Sequence, residues 1–204
     1  MGKTIDRHEM IAEYLEAMRS DIEGIRALAM YGAMCEEVGQ KTELAAKYAE
    51  EPEADLKKSK RLRNEARRIT PLLKYIASEK SVEHARTCIQ IHGGNGYTVE
   101  YGAEKLLRDA MVFPIYEGTS QIQALMAMKD TLGGIMKAPQ RFVRDLAQAR
   151  WRSLSGRSPL ERRVAKLQWL SLDAQQFLMR KTAADKMRSL GELPMAKWSQ
   201  AFFK

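Results

Sequence analysis

Between His8 and Gly39, the residues Ile11, Leu15, Met18, Ile22, Ile25, Ala29 and Gly32 recur at steps that alternate four and three. That spacing puts all seven on one face of a helix, and no alternating run elsewhere offers a strand pattern. A chain with such a stripe must bury it against other helices. Composition points the same way, because Leu and Ala abound while Val is scarce. Ala29 and Gly32 let a second helix come close, and Gly39 reads as a stop.

Residues 40–68 are charged and poorly periodic, with Pro52 as a breaker, which predicts a loop or a loop with a short surface helix. Residues 57–68 carry seven basic side chains and one acid, a net of +6 in a chain of formal charge +8. A nucleic-acid patch is one reading of that run. A solvated connector or helix face beside Glu50-Glu51-Pro52-Glu53 is favoured, because no aromatic side chains interleave for base stacking. Thr70-Pro71 has the form of a helix start. The helix should run to about Ile91, with Leu72, Leu73, Ile76, Ala77, Ala85, Cys88 and Ile89 on its apolar face, and end at Gly93-Gly94-Asn95-Gly96.

A third helix is expected over about 101–111, with Ala103, Leu106, Leu107 and Ala110 inward, before Phe113-Pro114 stops it. A fourth begins near Ser120, where Ser120 and Gln123 have capping-box spacing. Ile122, Leu125, Met126 and Met128 should fill its buried side, and Gly133-Gly134 should close it. The methionines read as core filler. Beyond lie a short helix over 140–151 and a long one from Ser158-Pro159-Leu160-Glu161 to about Leu190, ended by Gly191. Trp198, Phe202 and Phe203 need a neighbour to dock on. The expectation is an all-α, up-down helical bundle over 1–137, with the basic insertion at about 40–68, and a helical C-terminal extension over 138–204.

Cys35 and Cys88 each fall inside a predicted helix and suggest no disulfide framework, which fits a reduced, cytoplasmic setting. His8, His84 and His92 lie far apart without ligand spacing, so no metal site is expected. No apolar run reaches the roughly 18 residues of a membrane span.

Chemistry concentrates in two segments. In Ile115-Tyr116-Glu117-Gly118-Thr119-Ser120-Gln121 a carboxylate stands beside a glycine, just ahead of a helix start. If the apolar run Met111 to Tyr116 is buried, Glu117 is partly desolvated and its pKa rises toward the range of a general base. The N–H groups near Thr119 to Gln121 could hold polar or anionic groups. A second reading is equally open, in which Glu117 only neutralises the helix end. The other segment, Gln90-Ile91-His92-Gly93-Gly94-Asn95-Gly96-Tyr97, is neither a Rossmann fingerprint nor a P-loop. A plain helix-ending turn also accounts for it.

Together with Tyr101 and Glu104-Lys105-Leu106-Leu107-Arg108-Asp109-Ala110, these segments resemble the C-terminal helical domain of the acyl-CoA dehydrogenase family. The resemblance covers roughly residues 2–137, and the extension resembles the longer bacterial members. It implies FAD-dependent oxidation of an acyl-CoA thioester to the trans-2-enoyl-CoA, as in fatty acid β-oxidation. Glu117 matches the base that takes the α-proton, and its N–H the donor to the thioester carbonyl. Gly118 matches a substrate-lining position; Thr119 and Gln121 match FAD contacts. Gln90, Ile91, His92, Gly93 and Gly94 match a segment touching the FAD of a neighbouring subunit, which implies a homodimer or tetramer. An electron-transferring flavoprotein is the implied electron acceptor. Glu9 departs from the family pattern, standing where a Gln that contacts FAD is common. The family's N-terminal and middle domains do not fit in 204 residues, so the chain alone is expected to be inactive. A flavin-dependent oxidase on the same scaffold and a non-catalytic helical assembly module are the alternatives.

Overall fold

The computed structural model describes residue 2 and residues 4–192, and every regular element among them is helical. The helices are α1 (Glu9–Ala46), α2 (Glu53–His92), α3 (Ala103–Ala110), α4 (Ser120–Lys137), α5 (Pro139–Ser155) and α6 (Pro159–Glu192). The chain divides into two compact units, Met1–Asp130 and Thr131–Lys204, with the division inside α4.

In the first unit α1 and α2 form a long antiparallel hairpin. Asp21 of α1 meets Lys80 and His84 of α2, while at the other end Gly39 meets Ser59, whose buried hydroxyl donates to the Gly39 carbonyl at 2.8 Å. Gly39 therefore does not stop α1, which continues to Ala46. A Cβ at Gly39 would lie 2.8 Å from Cγ of Arg63, so the glycine serves close approach between helices. The predicted loop over 40–68 is also replaced by helix, broken only between Ala46 and Glu53. The charges of this stretch lie on the hairpin's outer surface and are partly paired. Arg63 reaches Glu43 at 2.7 Å and Glu36 at 3.6 Å, and Arg67 grips Asp130 of α4 through two bonds of 3.1 Å.

Thr70-Pro71 does not open a helix either, because Pro71 lies buried inside α2. An interior proline costs roughly 3 kcal/mol. Ala66 and Ile69 just before it, and Ser78 and Ala85 after it, are buried along the same helix, so packing carries α2 across the defect. Cys35 is buried and Cys88 half-buried, both in helices as expected.

On α3, Ala103 and Ala110 are buried, but Leu106 is exposed, against expectation. Helix α4 runs through Gly133 and Gly134, since an interior glycine costs only about 0.5–1 kcal/mol. Its expected buried side is uncovered: Ile122, Leu125, Met126 and Met128 are exposed, while Gln123, Ala127 and Asp130 are half-buried. Several methionines, including Met30 and Met136, are likewise exposed rather than core filler.

In the second unit α5 and α6 form another antiparallel hairpin, with Ala149 and Ala165 buried and Arg150 stacked 4.2 Å from the Trp169 ring centroid. The predicted start of α6 is present: Ser158 Oγ accepts the Glu161 N–H at 3.1 Å, and the Glu161 carboxylate accepts the Arg157 N–H at 2.8 Å. Gly191 lies within α6 rather than ending it. Trp198, Phe202 and Phe203 fall outside the described residues.

Candidate functional site

Residues 111–119 link α3 to α4 through a series of tight turns. The N–H groups of Phe113, Ile115 and Tyr116 bond to the carbonyls of Ala110, Val112 and Val112, at 3.0–3.2 Å. Glu117 then takes φ +51°, the one positive φ outside glycine among the described residues, and Gly118 follows at φ +96°. A left-handed backbone costs a glutamate about 1–2 kcal/mol, so it persists only where neighbours impose it. Two side chains do so. Gln123 Nε2 donates to the Glu117 carbonyl at 3.0 Å. Lys74 of α2 donates to the carbonyls of Phe113 at 2.6 Å and Gly118 at 3.2 Å, and its ammonium sits 5.1 Å from the Tyr116 ring centroid. Gly118 is favoured by its φ; a Cβ there would also lie 2.7 Å from Gln123 Nε2, the movable end of the side chain that holds the Glu117 carbonyl.

The first turn of α4 differs from the expected capping box. Thr119 is the capping residue: its hydroxyl accepts the Ile122 N–H at 3.4 Å and its carbonyl the Gln123 N–H at 3.0 Å. Ser120 already lies in the helix, its buried hydroxyl without a hydrogen-bond partner among the described residues. Gln123 reaches past the cap to Glu117 instead of bonding the capping N–H.

Glu117 is exposed, and so is the run before it, with Ile115 63% and Tyr116 48% accessible. The desolvated niche expected around this carboxylate is therefore not built by the described residues. No described residue accepts the Glu117 backbone N–H. A carboxylate and an N–H without an acceptor among the described residues thus share one reversal beside a helix N-terminus. Such an arrangement can take a proton at the side chain and donate to an oxygen at the backbone.

Gln90, Ile91 and His92 form the last turn of α2, and all but half-buried Ile91 are exposed. His92 Nδ1 lies 2.8 Å from the Cys88 carbonyl, to which it donates. Gly93 has φ +61°, which glycine alone tolerates easily. Gly96 is needed for packing, since a Cβ would lie 2.7 Å from the Ile89 carbonyl oxygen. Gly94 differs from both. Its φ is not positive, and a Cβ would meet nothing within 4 Å. Packing among the described residues does not call for a glycine there, whereas close approach of a ligand or another chain to the backbone would.

The two segments do not meet in one chain. The Glu117 loop is fastened to α2 at Lys74, sixteen residues before Gln90, which is about 24 Å along a helix rising 1.5 Å per residue. Thr119 and Gln121 stay with Glu117 at the start of α4; the glycine segment lies at the far end of α2. Sequence reasoning missed Lys74 and gave Gln123 a capping-box role instead of its bond to the Glu117 carbonyl; both act here on backbone carbonyls and so leave no paired motif. The available signal for Lys74 was a lysine set between Leu73 and Ile76 on an otherwise apolar stretch. No group of three His, Cys, Asp or Glu side chains among the described residues could hold a metal ion. No helix among them is long and apolar enough to cross a membrane.

Residues 1–132 match the family described as acyl-CoA dehydrogenase, C-terminal domain. Among curated relatives, the chain is 38% identical over 120 residues to 3-methylmercaptopropionyl-CoA dehydrogenase of Ruegeria pomeroyi, covering 59% of this chain and 18% of that protein. It is 49% identical over 63 residues to an acyl-CoA dehydrogenase of Bacillus subtilis, covering 31% of this chain and 17% of that one. A subunit of a caffeyl-CoA reductase–Etf complex from Acetobacterium woodii is 49% identical over 55 residues, 27% of this chain and 14% of that protein. The solved apo form of Bd2924 shares the fold over 90% of this chain and 35% of its own, with TM-score 0.50 and 22% identity. The chain thus spans less than a fifth of the length of these curated relatives.

Proposed function

This chain belongs to the acyl-CoA dehydrogenase family through its C-terminal domain, and we propose that it supplies the proton-abstracting half of a flavin-dependent acyl-CoA dehydrogenase. The observation that carries the reading is Glu117, held at φ +51° beside its own unpaired N–H at the start of α4. In the proposed reaction the Glu117 carboxylate takes the α-proton of an acyl-CoA thioester. The Glu117 N–H donates to the thioester oxygen, where negative charge develops as that C–H bond breaks. FAD, when bound, supplies the acceptor for the β-hydrogen as hydride. Gly118 leaves the substrate's side of the turn free of a side chain, and Thr119 and Gln121 stand where the helix start can meet the flavin.

The residues present fit such a cofactor in one respect: Gly94 keeps open backbone that no described residue requires. The 24 Å or so between Lys74 and Gln90 along α2 suits a dimer or tetramer in which Gln90 to Gly94 touch the neighbouring subunit's FAD. Closure of the water-poor niche then falls to groups outside the described residues, a second subunit among them. One relative is named for an Etf complex, which supports an electron-transferring flavoprotein as the redox partner.

The test is Glu117→Gln in the complete flavoprotein. Turnover should fall by about 10²–10⁴-fold, the range for a lost general base, with flavin content unchanged. Turnover near that of the parent protein would refute the assignment. Two relatives are named as reductases, so turnover is assayed in both directions.

A further inference from the structure

We infer that Lys74 is a positioning residue for proton transfer by Glu117. The inference rests on the proposed role of Glu117 and adds the group that sets its geometry. Lys74 lies mid-way along the 40-residue helix α2, half-buried, four residues before the buried Ser78. Its ammonium makes its contacts with the loop alone: the Phe113 carbonyl at 2.6 Å, the Gly118 carbonyl at 3.2 Å and the face of Tyr116 at 5.1 Å. These three contacts bracket Glu117 on both sides. An ammonium has three donors and no acceptor, so it can draw two carbonyls toward one point. Drawing Phe113 and Gly118 together shortens the span between them and forces the reversal in which Glu117 and Gly118 have positive φ.

The loop has few other restraints. Its remaining hydrogen bonds are internal turns, the Ser120 N–H to Pro114 carbonyl bond at 3.0 Å, and the Gln123 bond from α4. Its apolar side chains are exposed. Helix α4 in turn is fastened to α2 by the Arg67–Asp130 pair, about two α2 turns before Lys74. Lys74 is therefore the direct connection between the rigid hairpin and the reversal. Charge matters to that role, because a carbonyl dipole and an aromatic face both attract a cation more than a neutral donor.

The experiment compares Lys74→Met, Lys74→Gln and Lys74→Arg. In the 204-residue chain, hydrogen–deuterium exchange reads residues 113–120 directly. Met and Gln should speed exchange there by about tenfold or more while α1 and the rest of α2 keep their protection. Arg, which keeps the charge and has several donors, should restore most of it. In the complete flavoprotein, Met or Gln should lower kcat by about 10²-fold, the effect of roughly 1 Å of misplacement. KM should stay within about threefold and the flavin absorbance should not change. Lys74→Gln is the reference should Lys74→Met fold poorly. Unchanged exchange over residues 113–120 overturns the inference. So does faster exchange accompanied by parental kcat. A fully active Glu117→Gln enzyme would instead sink the proposed function, and the exchange result would still report the tether.

Discussion

At the scale of single residues, the chain separates glycines by what each one answers to. Gly39 answers to Arg63, Gly96 to the Ile89 carbonyl and Gly118 to its own φ. From sequence all of them looked like punctuation, because the type of residue does not reveal whether a dihedral or a neighbour demands it. Polar residues divide the same way. Asp21 receives Lys80 and His84, each at 3.1 Å. Those hydrogen bonds, Lys80 first, hold the Asp21 carboxyl below its ordinary value of 3.8. Because the folded value is the lower one, Asp21 contributes stability above pH 3.8 and loses it as pH falls through the folded value. The hairpin should therefore melt at lower temperature on acidification through that window, and Asp21→Asn should flatten this acid limb in a series of thermal melts. The pair is solvent-accessible, so the effect should be small and shrink in high salt.

At the scale of elements, the helices were readable where local signals and packing agree. Ser158-Pro159-Leu160-Glu161 begins α6 as the motif demands, and α3 lies where its periodicity put it. They were unreadable where a partner overrules the local signal. Pro71 sits inside α2 because Ala66 and Ile69 bury against the hairpin, and Gly39 continues α1 because α2 passes within reach. Gly133 and Gly134 terminate nothing, since two interior glycines cost less than the ordered helix around them returns. One consequence is measurable. Gly39→Val should destabilise the α1–α2 hairpin by about 1–3 kcal/mol, the usual cost of overpacking a tight contact. Chemical denaturation of the variant, with helicity as the probe, measures it. A change confined to a few tenths would mean that Arg63 simply swings aside.

At the scale of the whole molecule, the site was legible as a pair of motifs but not as one place. Glu117 and Gln90 to Gly94 were singled out by the family resemblance of two motifs, and the structure sets those motifs against distant points of α2. What sets Glu117, namely Lys74 and Gln123, works through carbonyls and has no sequence signature. The burial expected around the carboxylate is absent too, because Ile115, Tyr116 and the apolar face of α4 have no cover within the described residues. The chain purified alone should accordingly lack stoichiometric flavin, read as missing flavin bands in its visible spectrum. Bands at one flavin per chain would overturn that expectation.

Gly94 offers a way to tell scaffold from purpose. With ordinary dihedrals and empty space beside it, Gly94→Ala should leave the melting curve alone or raise it by about 0.4–1 kcal/mol, through a less entropic unfolded chain. If the reading of the glycine segment is right, the same methyl group should weaken flavin retention in the assembled oligomer. A selection for folding alone would let alanine drift into that position, whereas a selection for turnover would keep it out.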